Sequence, residues 1–120
     1  MRIVNLCPHE IDLRLPDGTQ IVIPPAERPA RVRVTRYEPE ELKLERTGEA
    51  PVAIPVSSSC FGDVDDLPAP TSGTCFVVSY PVAYACAQRD DLLVPDDLIR
   101  DDRGTVVACR SLTRLTTLAP

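Results

Sequence analysis

The stretch from residue 11 to residue 23, IDLRLPDGTQIVI, indicates the fold class of this 120-residue chain. In residues 11–15 apolar and polar side chains alternate, which is the two-residue period of a half-buried strand. Residues 20–23 resume a strand pattern after the turn-forming pair Asp17 and Gly18. An Asp-Gly pair between two such runs is the strongest short-range signal for a β-hairpin. The segment therefore predicts two antiparallel strands joined by a tight turn.

Further strands are predicted on both sides of this hairpin. Residues 31–34 and 42–45 repeat the two-residue period. Residues 98–109 predict a second hairpin, in which Gly104 supplies the positive φ that the turn needs. Residues 3–6 form a short apolar run, which predicts a first strand.

The middle of the chain is less regular. Residues 74–79 are a continuous apolar run and the best candidate for the centre of the sheet. Residues 51–56 have prolines near both ends, which favours an edge strand. Residues 57–73 are rich in Ser, Pro and Asp and are predicted to be mainly a loop. Residues 80–88, with Pro81 in the first turn, favour a short helix, predicted to be the only one of two or more turns.

These patterns together predict a mainly β (α+β) fold over a single domain, residues 1–120. We expect a small mixed or antiparallel sheet, or a partly open barrel, built from hairpins, with one short helix near residues 80–88. The 13 prolines exclude a bundle of long helices, because proline interrupts helices. Aromatic residues make up only 4% of the chain, so Val, Leu, Ile and Ala must fill the core.

Composition narrows the range of partners and compartments. The net charge of −5 argues against a nucleic-acid-binding surface, which would need clustered basic residues. No apolar run approaches the roughly 20 residues that span a bilayer, and no signal peptide is predicted. Five cysteines, an odd number, are expected to be reduced and mostly buried thiols. The sequence therefore predicts a cytoplasmic protein of a bacterial cell, with no membrane or nucleic-acid partner.

The segment around the only histidine, His9, is the most distinctive candidate for chemistry. Imidazole proton transfer near neutral pH would depend on this side chain. Cys7 lies two residues away and could approach the same metal ion or form a Cys-His pair, but a zinc site needs more ligands and the chain has no C-x-x-C motif. Three interpretations stay open: Asn5 and His9 hydrogen-bonded to the backbone of a turn, a ligand pocket, or a metal site.

Two charged clusters allow a binding and a structural interpretation. The acidic series within residues 89–102 could bind a divalent cation or perform acid–base chemistry, but the EF-hand spacing is absent. Solvated turns with local Arg–Asp pairing are the favoured interpretation. Arg31 and Arg33, with Arg36 beyond them, could bind an anion or form the solvent face of a sheet.

No motif in the sequence identifies an enzyme. The nucleophile elbow, the zinc-protease helix, the P-loop and the dinucleotide-binding glycine pattern are all missing from the sequence. The sequence therefore assigns no catalytic residue, no metal site and no cofactor.

Three short segments together resemble a family of small uncharacterised proteins from phages, prophages and actinobacteria. They are N-L-C-P-H at residues 5–9, V-V-S at residues 77–79 and R-D-D-L-L-V-P at residues 89–95. Members of that family begin N-L-T-P-H and carry an R-x-D-x-x-x-P segment and a D-x-x-G hairpin, so Cys7 stands where the family has Thr. The resemblance implies an accessory protein of a mobile element, with no catalytic role.

If these segments converge, they form a polar pocket. The sequence then predicts a non-catalytic binding protein that recognises a small anionic or nucleotide-like ligand, or a host or phage protein. Its predicted ligand-binding residues are Asn5, His9, Ser79, Arg89 and Asp90. One alternative is a structural or assembly protein that acts through protein contacts, including a homo-oligomer. The other is a small enzyme with His9 as general base, assisted by Cys7 or Asp90.

Overall fold

The computed structural model describes residues 1–116 and confirms a mainly β fold with one short helix. The elements in chain order are β1 (Arg2–Asn5), β2 (Ile11–Arg14), β3 (Gln20–Ile23), β4 (Arg31–Arg36), β5 (Glu40–Arg46), β6 (Glu49–Val56), β7 (Ser59–Asp65), β8 (Thr74–Val77), α1 (Tyr80–Ala85), β9 (Leu92–Arg100) and β10 (Val106–Thr113).

Six strands form a mixed, nearly closed sheet in the order β1-β8-β9-β10-β2-β3. β8 pairs in parallel with β1 and with β9, whereas β9–β10 and β2–β3 are antiparallel hairpins. A single bridge between Asn5 and Pro25 links the ends of the sheet, and Ala26 N–H donates to the Asn5 carbonyl at 2.8 Å. The sheet therefore curls into a barrel-like body, which we call the barrel.

The core explains why residues 74–79 are continuously apolar. Phe76 and Val78 belong to a cluster that includes Val82 of the helix, whereas Val77 belongs to a second cluster with Ile11 and Cys109. Successive strand residues point to opposite faces, so β8 is buried on both sides. A strand is confirmed over residues 74–77, with a neighbour on each side, but β8 lies second from one end of the sheet order and ends before Val78 and Ser79.

Both predicted hairpin turns are present. Gly18 has φ +90° between β2 and β3, and Gly104 has φ +81° between β9 and β10. In the second turn, Asp101 Oδ1 accepts hydrogen bonds from the amides of Arg103 (2.9 Å) and Thr105 (3.0 Å). The residues within each turn were therefore sufficient to predict the positions of both hairpins.

The predicted loop at residues 57–73 is wrong over its first part. β7 occupies residues 59–65 and pairs with β4, with Arg31 opposite Asp65 and Arg36 opposite Ser59. Gly and Asp disfavour strands locally, but antiparallel pairing with β4 supplies hydrogen bonds that outweigh this preference.

Two other elements differ in length from expectation. The helix is a six-residue element, because Cys86 leaves the helical region with φ −124°, so it falls short of the two turns expected over residues 80–88. β9 extends through Asp96 and Asp97, which the sequence predicted to lie in a turn. Asp97 adopts φ +49° within β9, and its carboxylate lies 3.2 Å from the guanidinium of Arg110 in β10.

A long hairpin, which we call the arm, leaves the barrel at residues 31–65. Its base is the β4–β7 pair and its tip is the β5–β6 pair, closed by Gly48 at φ +76°. Every residue of β5 and β6 is exposed. The described chain measures 60 × 37 × 36 Å with a radius of gyration of 19.2 Å. A compact chain of this length would have about 14 Å, so the arm projects from the barrel.

Within residues 1–116, no helix has the length and apolar character needed to cross a bilayer.

Candidate functional site

Asn5 is a buried connector between three segments. Its side chain is 1% exposed, and Nδ2 donates to the carbonyls of His9 (2.8 Å) and Ile23 (3.0 Å). Oδ1 accepts from the amide of Cys7 at 2.9 Å. Both donor hydrogens and the acceptor therefore have partners within the chain, as in the interpretation that places Asn5 against the backbone of a turn.

His9 and Cys7 lie in contrasting environments. His9 is exposed, and its Nδ1 lies 3.0 Å from the carbonyl oxygen of Glu10. Cys7 is buried, with Sγ 3.9 Å from the carbonyl oxygen of Val77, and burial raises the pKa of its thiol to about 11. The thiol is therefore neutral near pH 7, which makes it a poor nucleophile and a poor metal ligand.

Arg89 is held by contacts within the barrel. Its Nε and Nη2 donate to the two carboxylate oxygens of Asp91 at 2.9 and 2.6 Å, and Nη1 donates to the carbonyl of Pro68 at 2.8 Å. The guanidinium carbon also lies 5.9 Å from the ring centroid of Phe76. The local Arg–Asp pairing expected for this segment is confirmed. Neighbouring Asp90 is exposed, and its carbonyl accepts from Arg114 Nε.

The predicted ligand-binding residues do not share one pocket. His9 lines a depression at the β9–β10 hairpin, and Asp90 lines a second one beside the 71–75 segment. Ser79 lines a third depression at the base of the arm, together with Arg31 and other residues. The structure thus separates these three side chains, while the polar groups of Asn5 and Arg89 are engaged internally.

The Arg89–Asp91 pair should make the free energy of unfolding depend on pH in the acidic range. The pKa of Asp91 lies below its usual value. The main cause is the hydrogen bonds from Arg89, and the positive charge of Arg89 adds a smaller contribution. A depressed folded-state pKa contributes stability that is present above the unfolded pKa, about 3.9, and is lost as pH falls through the folded pKa. The side chains are 16% and 13% exposed, so the pair is largely desolvated.

We expect Asp91→Asn to lower the unfolding free energy at pH 7 by about 2 kcal/mol, less than for a fully buried pair. The difference from wild type should shrink as pH falls below about 4, because wild type then loses the same interaction. Urea unfolding across this pH range measures it, with exposed Asp90→Asn as the matched control. A deficit that stays constant with pH would contradict this assignment.

The arm tip carries exposed aliphatic side chains on one of its two sides. In the β5–β6 register Leu42 faces Ile54 and Leu44 faces Val52, and Val56 continues the same side. We call these five side chains the aliphatic face. Each is 36% to 57% exposed. A two-stranded ribbon with an uncovered apolar side is marginal in water, so this face is suited to a partner.

The opposite side of the tip is polar only along β5, because β6 contributes Pro51, Ala53 and Pro55 there, and the edge of the tip at β6 is partly blunted. Lys43, which pairs with Ala53, lies on the opposite side of β5 from the aliphatic face, and Glu45 follows Leu44 at the irregularity before Arg46. Pro51 and Pro55 of β6 lie four residues apart on the same phase and lack N–H groups, so between them only Ala53 on this phase keeps a donor. Such prolines protect an edge from pairing with another strand. Contact through the face is therefore favoured over addition of a strand at β6.

A second apolar surface lies where the arm meets the helix. Phe61 of β7 is 65% exposed and Tyr84 of α1 is 69% exposed. With Tyr80, Pro81 and Gly62 they line an open groove of about 590 Å³, which we call the aromatic groove. The two tyrosine rings lie 6.1 Å apart. Flat, rigid side chains of this kind are typical of the centres of protein interfaces.

Charge is distributed unevenly along the arm. β4 at the base contains three arginines and no acid, and the tip contains four glutamates against one lysine and one arginine. Arg33 is paired with Asp65 through two 2.8 Å contacts. Neither Arg31 nor Arg36 forms an ion pair with another residue of the described range 1–116. Asp63 and Asp65 of β7 reduce the net charge of the base to +1 (three arginines against two aspartates), so its positive charge lies on β4, whereas the tip has a net charge of −2 (two basic residues against four glutamates).

The sequence contained a signal for the aliphatic face that the predicted site omitted. Residues 42 and 44 and residues 52, 54 and 56 are apolar at two-residue spacing on either side of a Thr-Gly turn. The alternation in the first of these strands is typical of an amphipathic strand, whereas residues 51–56 are apolar throughout.

Comparison of the chain with protein-family models, with curated proteins and with solved structures finds no match in any of the three.

Proposed function

We propose that this protein is a non-catalytic assembly protein that binds another protein chain through its arm. The observation that carries the proposal is the aliphatic face, five half-exposed aliphatic side chains on a ribbon whose every residue is exposed. Its exposed area is on the order of 400 Å², near the largest apolar patch of an ordinary monomer, and covering it would contribute on the order of 10 kcal/mol. An accessory role in a phage or prophage, implied by the resemblance, is compatible with such binding.

The position of the face also supports this proposal. Val32 and Val64 at the base of the arm pack against the barrel core and so anchor the arm. At the tip, by contrast, every residue of β5 and β6 is exposed, so no contact with the barrel buries any of them. A ribbon anchored at one end presents its face to a partner without requiring the barrel to rearrange.

A small anionic ligand is supported less well. The two predicted residues best suited to hold one, Asn5 and Arg89, already make three hydrogen bonds each within the chain. Ligand binding would have to break these contacts, and each lost partner of a buried polar group costs about 1–3 kcal/mol.

The test replaces the aliphatic face and compares it with the opposite side of the same strand. The variant Leu42→Ser with Leu44→Ser removes two central apolar side chains, and Lys43→Ser with Glu45→Ser changes two polar ones. All four side chains are exposed, so both variants should keep the melting temperature of wild type within about 3 °C. Self-association is measured by sedimentation velocity, and partner binding by quantitative affinity capture from the source cells.

We expect the Leu42/Leu44 variant to lose association at least 10-fold, whereas the Lys43/Glu45 variant keeps it. Loss of self-association, or loss of one identified captured protein, supports the proposal provided that the control variant retains it. Equal binding by both variants overturns the proposal, as does wild type that neither self-associates nor captures a protein that the Leu42/Leu44 variant fails to capture.

A further inference from the structure

Resting on the proposed function, we infer that the partner of the arm is a second copy of this chain. The two arms run antiparallel, and the aliphatic face of each tip lies in the aromatic groove of the other copy. The pairing is two-fold symmetric, so each copy gives one face and receives one face.

Buried area distinguishes this arrangement from simpler ones. Two aliphatic faces packed on each other would bury about 800 Å² in total, which is the range of weak or crystal-packing contacts. The aromatic groove adds a comparable exposed apolar area, because Phe61, Tyr80 and Tyr84 each leave roughly half of a large side chain uncovered. Two symmetric contacts of tip with groove would bury on the order of 1,600 Å², the standard size of a stable interface.

Charge along the arm favours the antiparallel direction. A parallel pair would place the β4 arginines of one copy against those of the other, and one acidic tip against the other. An antiparallel pair places the acidic tip of each copy along β4 of its partner, where Arg31 and Arg36 have no ion-pair partner among residues 1–116. Complementary charges of this kind set orientation more than affinity.

The connection at residues 37–39 marks the position of the two-fold axis. Arg36 ends β4 on one side of it and Glu40 begins β5 on the other. With the axis at this connection, Arg36 of each copy lies opposite Glu40 of the other. The same symmetry brings Val34, 49% exposed at the base, opposite the region of Leu42.

Charge reversal tests this pairing directly. Arg36→Glu and Glu40→Arg should each weaken the dimer about 10-fold, since either places like charges opposite each other at two symmetric contacts. The double variant exchanges the charges and should return the dimer to within about 3-fold of wild type. Both residues are exposed and lack ion-pair partners among residues 1–116, so monomer melting temperatures should not change.

Spin labels at the arm tip report the direction of the arms. A label at Thr47→Cys, in a Cys60→Ser and Cys86→Ala background, lies at the end of each arm. Electron–electron double resonance should give a tip-to-tip distance of about 60 Å for antiparallel arms, since Thr47 lies about nine residue steps of strand from the axis in each copy. Parallel arms would place the labels within about 20 Å of each other.

The outcomes separate this inference from the proposed function. Rescue by the double variant together with a long tip-to-tip distance supports both. A double variant weaker than either single variant, or a short distance, overturns the antiparallel pairing. A wild type that stays monomeric at about 100 µM but captures a different protein through Leu42 and Leu44 overturns the second copy as partner and leaves the proposed function standing.

Discussion

Replacing Asn5 with alanine should lower the free energy of unfolding by about 3 to 5 kcal/mol, because it removes three hydrogen bonds from a nearly inaccessible site. The carbonyls of His9 and Ile23 and the amide of Cys7 would lose their side-chain partner, and water cannot easily replace it at 1% exposure. The melting temperature should fall by about 10 to 20 °C for a chain of this size. Thermal and urea unfolding measure the loss.

The site of Asn5 explains why the effect should be large. The residue ends β1 at the place where the bridge to Pro25 joins the two ends of the sheet. Its side chain fastens the chain after β1 to the end of β3, so its removal weakens closure as well as three hydrogen bonds.

The matched control is Gln20→Ala. The Gln20 amide donates to both carboxylate oxygens of Asp12, at 3.0 and 3.1 Å, but this contact is exposed. We expect a cost within about 0.5 kcal/mol, since water replaces the partner. If Asn5→Ala cost no more than this control, the Asn5 amide would not be needed for the fold, and its role as a ligand contact would regain support.

Sequence alone predicted the elements whose causes are local. The Asp17-Gly18 and Asp101–Gly104 turns were found because the residues that set a turn lie within it. β8 was found because burial on both faces removes the polar alternation from its sequence.

Elements with distant causes were missed. β7 depends on β4, whose paired residues lie about 30 positions away in the sequence, and nothing in residues 57–73 indicates that partner. The length of β9 likewise depends on β10, which keeps Asp96 and Asp97 in a strand despite their preference for turns.

The candidate site shows the same division. The residues 5–9 segment was distinctive in the sequence, but whether Asn5 faces a ligand or the backbone depends on β3, and the structure gives it backbone partners. The two-residue period at Leu42 and Leu44 predicts an apolar side of a hairpin. It does not predict that the side is left uncovered, which is a property of the whole fold.

Deleting the arm tip should abolish association and leave the barrel folded. Arg36 and Ser59 are paired across the ribbon, so an Asn-Gly turn can replace residues 37–58 and close β4 directly onto β7. Every residue removed from β5 and β6 is exposed, whereas Val32 and Val64 remain packed on the core. We therefore expect a melting temperature within about 3 °C of wild type and no association by sedimentation velocity.

This deletion tests the arm more severely than point substitution, because it removes the aliphatic face, the acidic tip and the axis region together. The control is a variant in which Lys43→Ser and Glu45→Ser leave the tip intact, and it should associate as wild type does. A deletion variant that associates normally would place the binding surface on the barrel. A variant that unfolds would show that the tip stabilises the barrel. That result would contradict the expectation from the tip strands, in which every residue is exposed. Retained folding with lost association is the result that an arm built for binding requires, since only then is its apolar surface dispensable for the fold and essential for the contact.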